Sequence, residues 1–572
     1  MTSEEYPDVR TNDESSPVSK GLFARFFGQA PAADGPRRLL ITLVIFAVAL
    51  GLRVVHMSQL EGTAWEDERG LISDSEYYDM RANEIASGEL VGAYPGFLSP
   101  LYCYVLGAGY AITGSNLWAV KLLQIIFASL AIALVHRITR RMFSEAAAVI
   151  AALLLACHGP SIYYSALLLP TTLVFGLHAT LIWVLVRGEL TPLRTLKAGL
   201  LIGLCIGAKA NALLLLPVLA IWFYNQRAQL VQANYLRLVG ALALGAAITI
   251  TPITWRNYAT SGEFILVTTT GGRNMLKGNG ETATGTHSSL NEETIHIGYY
   301  LDGTVDIERS IAEDRELKSL AWQAMGDEPI RALQLFGVKL QLLFNQIELG
   351  IRDDYRFARM QSPLLGLPLV SFALIASLGL VGLVLYLRDS RHSKLLGWIL
   401  LAQVASFVLI FVLARYRMVL LLCLAPFAGQ ALAGFVDDLV TKRIPRAITA
   451  CIFLVPSIWF VNQSIEGFEK PNPPGELHRF VGDWHFEREE WKRAFAGYNR
   501  ASKSDWHISN LLDHWAVRAR LADCYAEMDR PQKAALVREG LLTEVMEHYP
   551  FRQLDLKDEL LMKLGLEPET PR

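Results

Sequence analysis

Residues 39–55 read LLITLVIFAVALGLRVV, an apolar run that directly follows Arg37 and Arg38. A run of about 20 apolar residues is long enough to cross the hydrocarbon core of a bilayer. Basic residues before such a run are typical of the cytoplasmic side of a membrane span. No small-residue cleavage pattern follows, so we expect a retained anchor rather than a signal that is removed.

The composition of the whole chain also indicates a membrane protein. Of 572 residues, 52% are hydrophobic and only 19% are charged, whereas about a quarter of the residues of soluble proteins are charged. The net charge of −2 and the pI of about 6.7 give no reason to propose a nucleic-acid partner. No cysteine or histidine spacing typical of a metal site occurs, and His158, His178 and His287 are assigned structural roles.

Apolar runs recur along the chain, and we expect each to form a helix. They lie at about 38–57, 97–114, 118–136, 146–158, 166–186, 196–223, 236–255, 363–387, 395–413, 417–436 and 444–461. The run 196–223 is interrupted by Lys209, which predicts either a cavity-lining lysine or a junction of two half-helices. The predicted fold class is an all-α polytopic membrane protein with about 11 to 13 transmembrane helices.

Basic segments near 37–38, 224–237, 388–394 and 442–446 predict the cytoplasmic side. The loop 58–96, the segment 256–362 and the tail after 461 are then external. One segment conflicts with this assignment. His136–Arg141 is basic, but counting spans from the first loop puts it outside. Either one run near 97–136 does not span the membrane, or the charge rule is violated there.

Three regions differ in composition from the apolar spans of the transmembrane domain (37–461). Residues 1–36 are polar and rich in Pro, Gly and Ser, which predicts a disordered cytoplasmic N-terminus. The external segment 256–362 has a mixed pattern. We expect an extended part at Glu263–Thr270, a Gly-rich loop at 271–289, and helices from about 307 to 347.

The third region is the tail, predicted to comprise a Pro-rich linker at 462–485 and a small α-helical domain at 486–572. Residues 521–535 read LADCYAEMDRPQKAA, whose small and aromatic positions resemble tetratricopeptide repeats. The resemblance covers about one and a half repeats. A plain helical hairpin packed on the membrane domain is the alternative reading.

The first external loop contains the stretch DSEYYDMRANEIASG at residues 74–88. Read at 3.6 residues per turn, Tyr78, Ala82 and Ile85 share one face, which predicts a short amphipathic helix at the membrane surface. Asp74 is near its start, where an acid suits the helix dipole. Asp74 is therefore either a helix-capping residue or a catalytic carboxylate. The other acids of the stretch are assigned to a solvated face.

Three motifs occur in order on the predicted external side. The first is Asp74-x3-Tyr78 followed by FLSPLY at 97–102, the second is PITWRNY at 252–258 with its glycines downstream, and the third is ARYR at 414–417. Together they resemble the GT-C superfamily of membrane glycosyltransferases, especially the protein O-mannosyltransferase and lipid A aminoarabinose transferase branch.

The resemblance implies transfer of a sugar from a polyprenyl phosphate to a lipid, glycan or protein, on the external face of a bacterial inner membrane. Asp74 then matches the family's first-loop acid, which takes the proton of the acceptor hydroxyl. Cations would stabilise the leaving phosphate. The candidate substrate-binding residues are Arg256, Arg415, Arg417, Lys209, Glu348, Asn257 and Tyr78.

The chain also departs from the family pattern. Many relatives carry an acid in the span that here reads LLLPTT at 167–172, and many carry Arg-Pro where Lys209-Ala210-Asn211 stands. These differences leave the donor sugar open. Some relatives use a divalent metal, but the sequence identifies no second ligand beside Asp74.

Two other functions fit parts of the pattern. Intramembrane charges such as Lys209 also occur in transporters or flippases of lipid-linked substrates. The long external loops with acids and arginines, and the lack of inverted halves, favour the enzyme. A repeat scaffold on a membrane anchor, in which the tail is the working part, is the third hypothesis.

Overall fold

A computed structural model describes residues 36–69, 72–227, 234–286, 306–351, 353–466, 468, 475–504, 511–548 and 564. The N-terminal region expected to be disordered lies outside this part of the chain. The first ten helices are α1 (Pro36–Leu60), α2 (Ser73–Ala86), α3 (Pro100–Thr113), α4 (Leu117–Met142), α5 (Glu145–Ala156), α6 (Gly159–Ser165), α7 (Thr171–Val186), α8 (Pro192–Ala208), α9 (Leu215–Asn225) and α10 (Tyr235–Ser261).

The later helices follow the same numbering. They are α11 (Gly271–Asn279), α12 (Ile307–Asp327), α13 (Pro329–Phe344), α14 (Tyr355–Gln361), α15 (Pro363–Gly366), α16 (Phe372–Tyr386), α17 (Arg391–Val408), α18 (Leu421–Val440), α19 (Ile444–Asn462), α20 (Gly475–Phe486), α21 (Trp491–Ala501), α22 (Leu511–Glu527) and α23 (Pro531–His548). Two 3₁₀ turns, Ala210–Leu214 and Ala414–Val419, precede α9 and α18.

The described part of the chain is helical and has no paired strands, so the predicted all-α membrane fold is confirmed. By length and composition, α1, α4, α10, α18 and α19 could each cross a membrane. Shorter apolar helices comprise α5, α7, α16 and the unit Ala210–Asn225. The count of about 11 to 13 spans stays a prediction.

Helix α3 lies beside α2 and does not run through the bundle. At its start, the N–H of Ser99 donates to the hydroxyl of Tyr78 at 3.3 Å. Just past its end, Oγ of Ser115 donates to Oδ1 of Asn83 at 2.7 Å. Both ends of α3 are therefore on the same side of the molecule as α2. With 14 residues, α3 is also shorter than the roughly 20 residues that a span needs.

This arrangement resolves the conflict over His136–Arg141. Arg38, at the start of α1, is 3.8 Å from Glu145, and His136 Nε2 is 3.1 Å from the same carboxylate. The end of α4 is thus beside the start of α1, at what we call the basic end of the bundle. The other end, which carries Leu60 and α2, is called the loop end. We therefore expect the run 97–114 to be the one that does not span.

Lys209 lies where the chain reverses direction at the loop end. Helices α8 and α10 run parallel in close contact, and a Cβ added at Gly199 or Gly203 would overlap Leu242 or Thr249 of α10. Small residues of this kind let helix backbones approach closely inside membranes. After Ala208, whose carbonyl accepts from Oγ of Ser99, the chain turns back through α9. Lys209 is therefore at a reversal between two helices of opposite direction and not at a junction of two half-helices within one span. It lines a cavity, which was the other alternative.

The external segment differs from expectation in two places. Residues 263–270 form an irregular loop rather than a strand, and its backbone carbonyls are bound by side chains of α10. The expected Gly-rich loop begins with helix α11 instead. Its first turn is closed by Asp314 of α12, whose Oδ1 accepts from the N–H groups of Gly272 and Arg273. A distant side chain thus supplies the cap that the local sequence lacks.

In the tail, helices α20 to α23 pack in sequence as antiparallel hairpins. Gly482 of α20 meets Gly497 of α21, and Arg538 of α23 pairs with Asp523 of α22 at 2.8 Å. Helix α20 lies within the stretch expected to be a linker. Its Leu477 belongs to the core of the membrane domain, and this burial favours helix over linker. The tetratricopeptide reading stays a prediction.

Candidate active site

Asp74 is in the first turn of α2 and does not cap that helix. The N-cap residue is Ile72, and the helix start has no side-chain cap. The Asp74 side chain is 31% exposed and lines a cavity of about 210 Å³ at the loop end. The capping alternative therefore loses its support, and the carboxylate faces a space that a ligand can enter.

Arg415 is the partner of Asp74. Its Nη2 donates to Oδ2 of Asp74 at 2.9 Å, and its own side chain is only 11% exposed. It lies in the turn Ala414–Val419, called the Arg415 turn, which leads into α18. A short charge-assisted bond at a half-buried site is among the stronger hydrogen bonds in proteins. Two of the predicted site residues are thus in direct contact.

Lys209 brings a second cation to the same cavity. Its Nζ is 3.0 Å from the ring centroid of Tyr416, which itself stacks on Phe407 with 5.7 Å between centroids. A cation over an aromatic face is favourable, and more so when water is excluded. Lys209 is thereby held at the cavity by a ring from the residue next to Arg415.

A fourth charged residue, Asp353, was missed in the sequence. It follows α13 in the loop 345–354, called the acid loop, of which residue 352 is not described. Its Oδ2 lies 3.7 Å from Nη1 of Arg415, and its side chain is 2% exposed. No family motif marks this position. The only local signal is the pair of adjacent acids, Asp353-Asp354, of which the second caps α14.

The rest of the cavity lining is largely apolar, with a second polar group inside. Apolar lining residues include Leu98, Val174, Phe407, Ile410, Phe411, Met418 and Val419. In the polar group, Gln403 and His178 meet at 3.0 Å through their side-chain nitrogens. Because Nδ1 of His178 donates to the carbonyl of Val174, its Nε2 accepts from the Gln403 amide. Tyr78, another candidate substrate-binding residue, also lines the cavity.

Arg256 and Asn257 lie outside the cavity lining and join loops. Arg256 is buried, and its Nε donates to the carbonyl of Val91 at 2.7 Å. Asn257 accepts from the N–H of Gly96 at 2.8 Å and donates to the carbonyls of Ile265 and Val267. Their contacts favour the loop-fixing role that was one reading of this motif. Arg256 has no contact with Asp74 in the described residues.

Arg417 and Glu348 also lie outside the lining, as a buried ion pair. Arg417 Nη2 is 2.7 Å from Oε2 of Glu348, with side chains 0% and 10% exposed. Nη1 of Arg417 donates to the carbonyl of Asn345, which ties the Arg415 turn to the acid loop. Burial raises the pKa of Glu348, and Arg417 counteracts that shift. We therefore assign this buried ion pair a structural role.

The N-terminus of α11 is closed to a phosphate. Helix N-termini favour anions, and Gly271 lines the cavity. However, the carboxylate of Asp314 already accepts from the first N–H groups of this helix. Burial raises the pKa of Asp314, and these N–H bonds oppose that rise. Gly272 allows α12 to pack closely against this helix.

A divalent metal does not fit beside Asp74. Among the described residues, no three His, Cys, Asp or Glu side chains lie close enough together to hold an ion. The groups nearest Asp74 are cations: one of its oxygens contacts Arg415, and Lys209 is on the same cavity wall. Positive neighbours repel a second cation, so this donor set favours an anionic ligand.

Comparison with known proteins agrees with the sequence motifs. Residues 97–255 match the family model of dolichyl-phosphate-mannose-protein mannosyltransferase. This supports the resemblance to the GT-C superfamily and covers the chain from FLSPLY to the start of the second motif. Asp74 and Arg415 lie outside the matched range. No curated protein matches the chain.

Several solved structures show a distant likeness. The oligosaccharyltransferase of Archaeoglobus fulgidus in the apo form has 14% identity and a TM-score of 0.41, over 84% of this chain and 57% of that one. ArnT from Cupriavidus metallidurans, bound to undecaprenyl phosphate, has 14% identity and a TM-score of 0.40, over 88% and 73%. The chain thus spans less than two thirds of the archaeal enzyme. TM-scores this low do not by themselves establish a shared function.

Proposed function

We propose that this chain, which carries a mannosyltransferase family segment of the GT-C superfamily, transfers a sugar from a polyprenyl phosphate to a hydroxyl group of a lipid, glycan or protein. The observation that carries the proposal is the meeting of Asp74, Arg415 and Lys209 in one largely apolar cavity. A carboxylate suits the acceptor, two cations suit a phosphate, and apolar walls suit an isoprenoid chain.

The reaction needs one proton acceptor and one anion site. The acceptor oxygen attacks the anomeric carbon, and a new C–O bond forms as the bond to the phosphate oxygen breaks. The hydroxyl proton passes to the carboxylate of Asp74, and the electron pair of the broken bond stays on the polyprenyl phosphate. Arg415 and Lys209 stabilise this charge as it develops.

We further propose that the loop end faces the outside of a bacterial inner membrane. Arg37 and Arg38 begin α1 at the basic end, and Arg140 and Arg141 end α4 at the same end. Basic residues prefer the cytoplasmic side, so the cavity and the tail would be external. The test uses a variant in which the six native cysteines are replaced and one cysteine is introduced near Glu61. In intact cells, a cysteine-reactive reagent that cannot cross the inner membrane should label it.

The function is tested by transfer from a lipid-linked sugar in proteoliposomes. Asp74→Asn should lower transfer by about 10²–10⁴-fold, the range for loss of a general base. Asn keeps the size of the side chain and can still accept from Arg415, so folding should be retained. Glu76→Gln, in the same helical turn but exposed, is the matched control and should transfer normally. Wild-type-like transfer by Asp74→Asn would remove Asp74 as the base.

The transporter hypothesis predicts a different result in the same vesicles. A flippase would move the lipid-linked sugar across the bilayer and form no glycosidic product. The two cations at the cavity suit either activity, whereas sugar transfer also needs a group that accepts the hydroxyl proton, which the carboxylate of Asp74 can do. Translocation without product would replace the enzyme hypothesis with the transporter one.

A further inference from the structure

We propose that Asp353 is a positioning residue, which keeps the guanidinium of Arg415 in the cavity when a donor phosphate replaces Asp74 as its partner. This inference rests on the proposed function and assigns a task to a residue outside the family motifs. Asp353 touches Arg415 and does not line the cavity. It would therefore act through Arg415 and not on the substrate.

The guanidinium of Arg415 meets two carboxylates with different nitrogens. Nη2 is 2.9 Å from Asp74, and Nη1 is 3.7 Å from Asp353. The two acids differ in access, since the side chain of Asp74 is 31% exposed and that of Asp353 is 2% exposed. A ligand in the cavity can displace Asp74 from Arg415, but it cannot reach Asp353.

Asp353 is held in place by its own surroundings. Its Oδ1 accepts from the N–H of Ile351 at 2.9 Å, and its carbonyl accepts from the hydroxyl of Tyr164 at 3.4 Å. The acid loop is also fastened to the Arg415 turn, because the N–H of Ala414 donates to the carbonyl of Leu349 at 2.7 Å. Asp353 and Arg415 therefore belong to two segments that are hydrogen-bonded to each other.

The Asp353 oxygen that faces Arg415 can accept a further hydrogen bond. Oδ2 of Asp353 is buried and accepts no hydrogen bond within the described residues, although it is close to Nη1. Buried polar atoms are rarely left without a partner. A small shift of the guanidinium away from Asp74 would complete this bond, which makes release of Asp74 easier and frees its carboxylate to accept a proton.

The four charges of the cluster balance one another before a donor binds. Arg415 and Lys209 are balanced by Asp74 and Asp353, so the cluster is neutral when all four are ionised. When a phosphate takes the place of Asp74 beside Arg415, Asp353 still compensates the buried guanidinium. Without Asp353, Asp74 would be the one carboxylate left beside Arg415 among the described acids, and a phosphate that displaced Asp74 would meet a guanidinium that is no longer held at Nη1.

The test compares Asp353→Asn with Asp354→Asn. Asp354 is the adjacent acid, equally buried, but it pairs with Arg356 at 2.6 Å and caps α14. Binding of the lipid phosphate is measured with undecaprenyl phosphate as the probe and purified full-length protein. Transfer kinetics are measured in the same preparation. We expect Asp353→Asn to weaken binding of the probe about tenfold and to raise the donor KM likewise, with the acceptor KM unchanged. Asp354→Asn should lower thermal stability and leave probe binding alone.

The outcomes separate this inference from the proposed function. Equal or tighter probe binding by Asp353→Asn than by wild type would overturn the positioning role, because loss of the acid's charge alone makes the site more positive and favours an anion. Equal losses in the two variants would overturn it as well. Asp353→Glu should restore part of the affinity if the charge matters. If wild type binds the probe and transfers no sugar, the proposed function fails while the positioning role is still decided by the binding data. Absence of probe binding by wild type would overturn both.

Discussion

Arg415 and Arg417 belong to the same 3₁₀ turn, but their guanidinium groups pair with acids in two different places. Arg415 reaches Asp74 at the cavity, and Arg417 reaches Glu348 in the interior. A 3₁₀ turn has about three residues per turn, so side chains two positions apart point roughly 120° away from each other. One turn thereby supplies a ligand-facing arginine and a structural one.

The first prediction concerns the interior pair. Glu348→Gln leaves the charge of Arg417 buried without its acid, which should lower stability by about 3–5 kcal/mol. Transfer per folded molecule should be unchanged, because neither residue lines the cavity. Thermal unfolding in detergent and transfer assays measure the two quantities. The double variant Glu348→Gln/Arg417→Met should recover stability, whereas loss of transfer in a stable Glu348→Gln protein would place Glu348 in the chemistry.

Asn257 should behave as a loop fastener. Asn257→Ala removes one acceptor for Gly96 and two donors for loop carbonyls, and each buried group left unpaired costs about 1–3 kcal/mol. Because the bonds to Gly96 and Val267 are the buried ones, we expect a loss of about 2–6 kcal/mol in thermal unfolding. Asn462→Ala is the control, since that exposed amide makes only one local bond, to Ile458. A loss of probe affinity in folded Asn257→Ala would instead assign Asn257 to ligand binding.

Two neighbouring glycines should differ sharply. A Cβ at Gly272 would overlap the carbonyl oxygen of Asp314, whereas a Cβ at Gly271 would meet only the Asp314 carboxylate, at 4.0 Å. Gly272→Ala should therefore push α11 away from α12 and destabilise the protein by about 1–3 kcal/mol. Gly271→Ala should unfold like wild type. Equal unfolding temperatures for the two variants would contradict the close packing of these helices.

Lys339 should make stability depend on pH. Its Nζ donates to Oδ1 of Asn279 at 2.6 Å, and burial lowers its pKa from 10.5 to about 7. Between these values the unfolded chain carries a proton that the folded protein has released, so stability should rise as pH increases from about 7 to 10. The slope is at most about 1.4 kcal/mol per pH unit. Lys339→Met should flatten this slope in unfolding measurements from pH 7 to 9; an unchanged slope would show that other groups cause it.

How far the sequence could predict the site depends on the range of each interaction. The helix at 73–86 was predicted from residues within a few turns, because the period of apolar side chains is a local property. The cap of α11 was not predicted, because Asp314 reaches it from another helix. Asp353 was missed for the same reason. Its role is inferred from its contact with Arg415, which cannot be read from the local sequence.

The sequence by itself determined the membrane class, the all-α fold and the acid of the first loop, because run length, hydropathy and motif order can be read along the chain. Tertiary structure decided which cation meets that acid. Asp74 and Arg415 are 341 positions apart, and nothing local distinguishes Arg415 from Arg256 or Arg417. Packing placed α3 beside α2, turned the chain at Lys209, and used Arg256 and Arg417 to hold loops. Of the cations proposed from the sequence, Arg415 and Lys209 line the cavity that Asp74 faces.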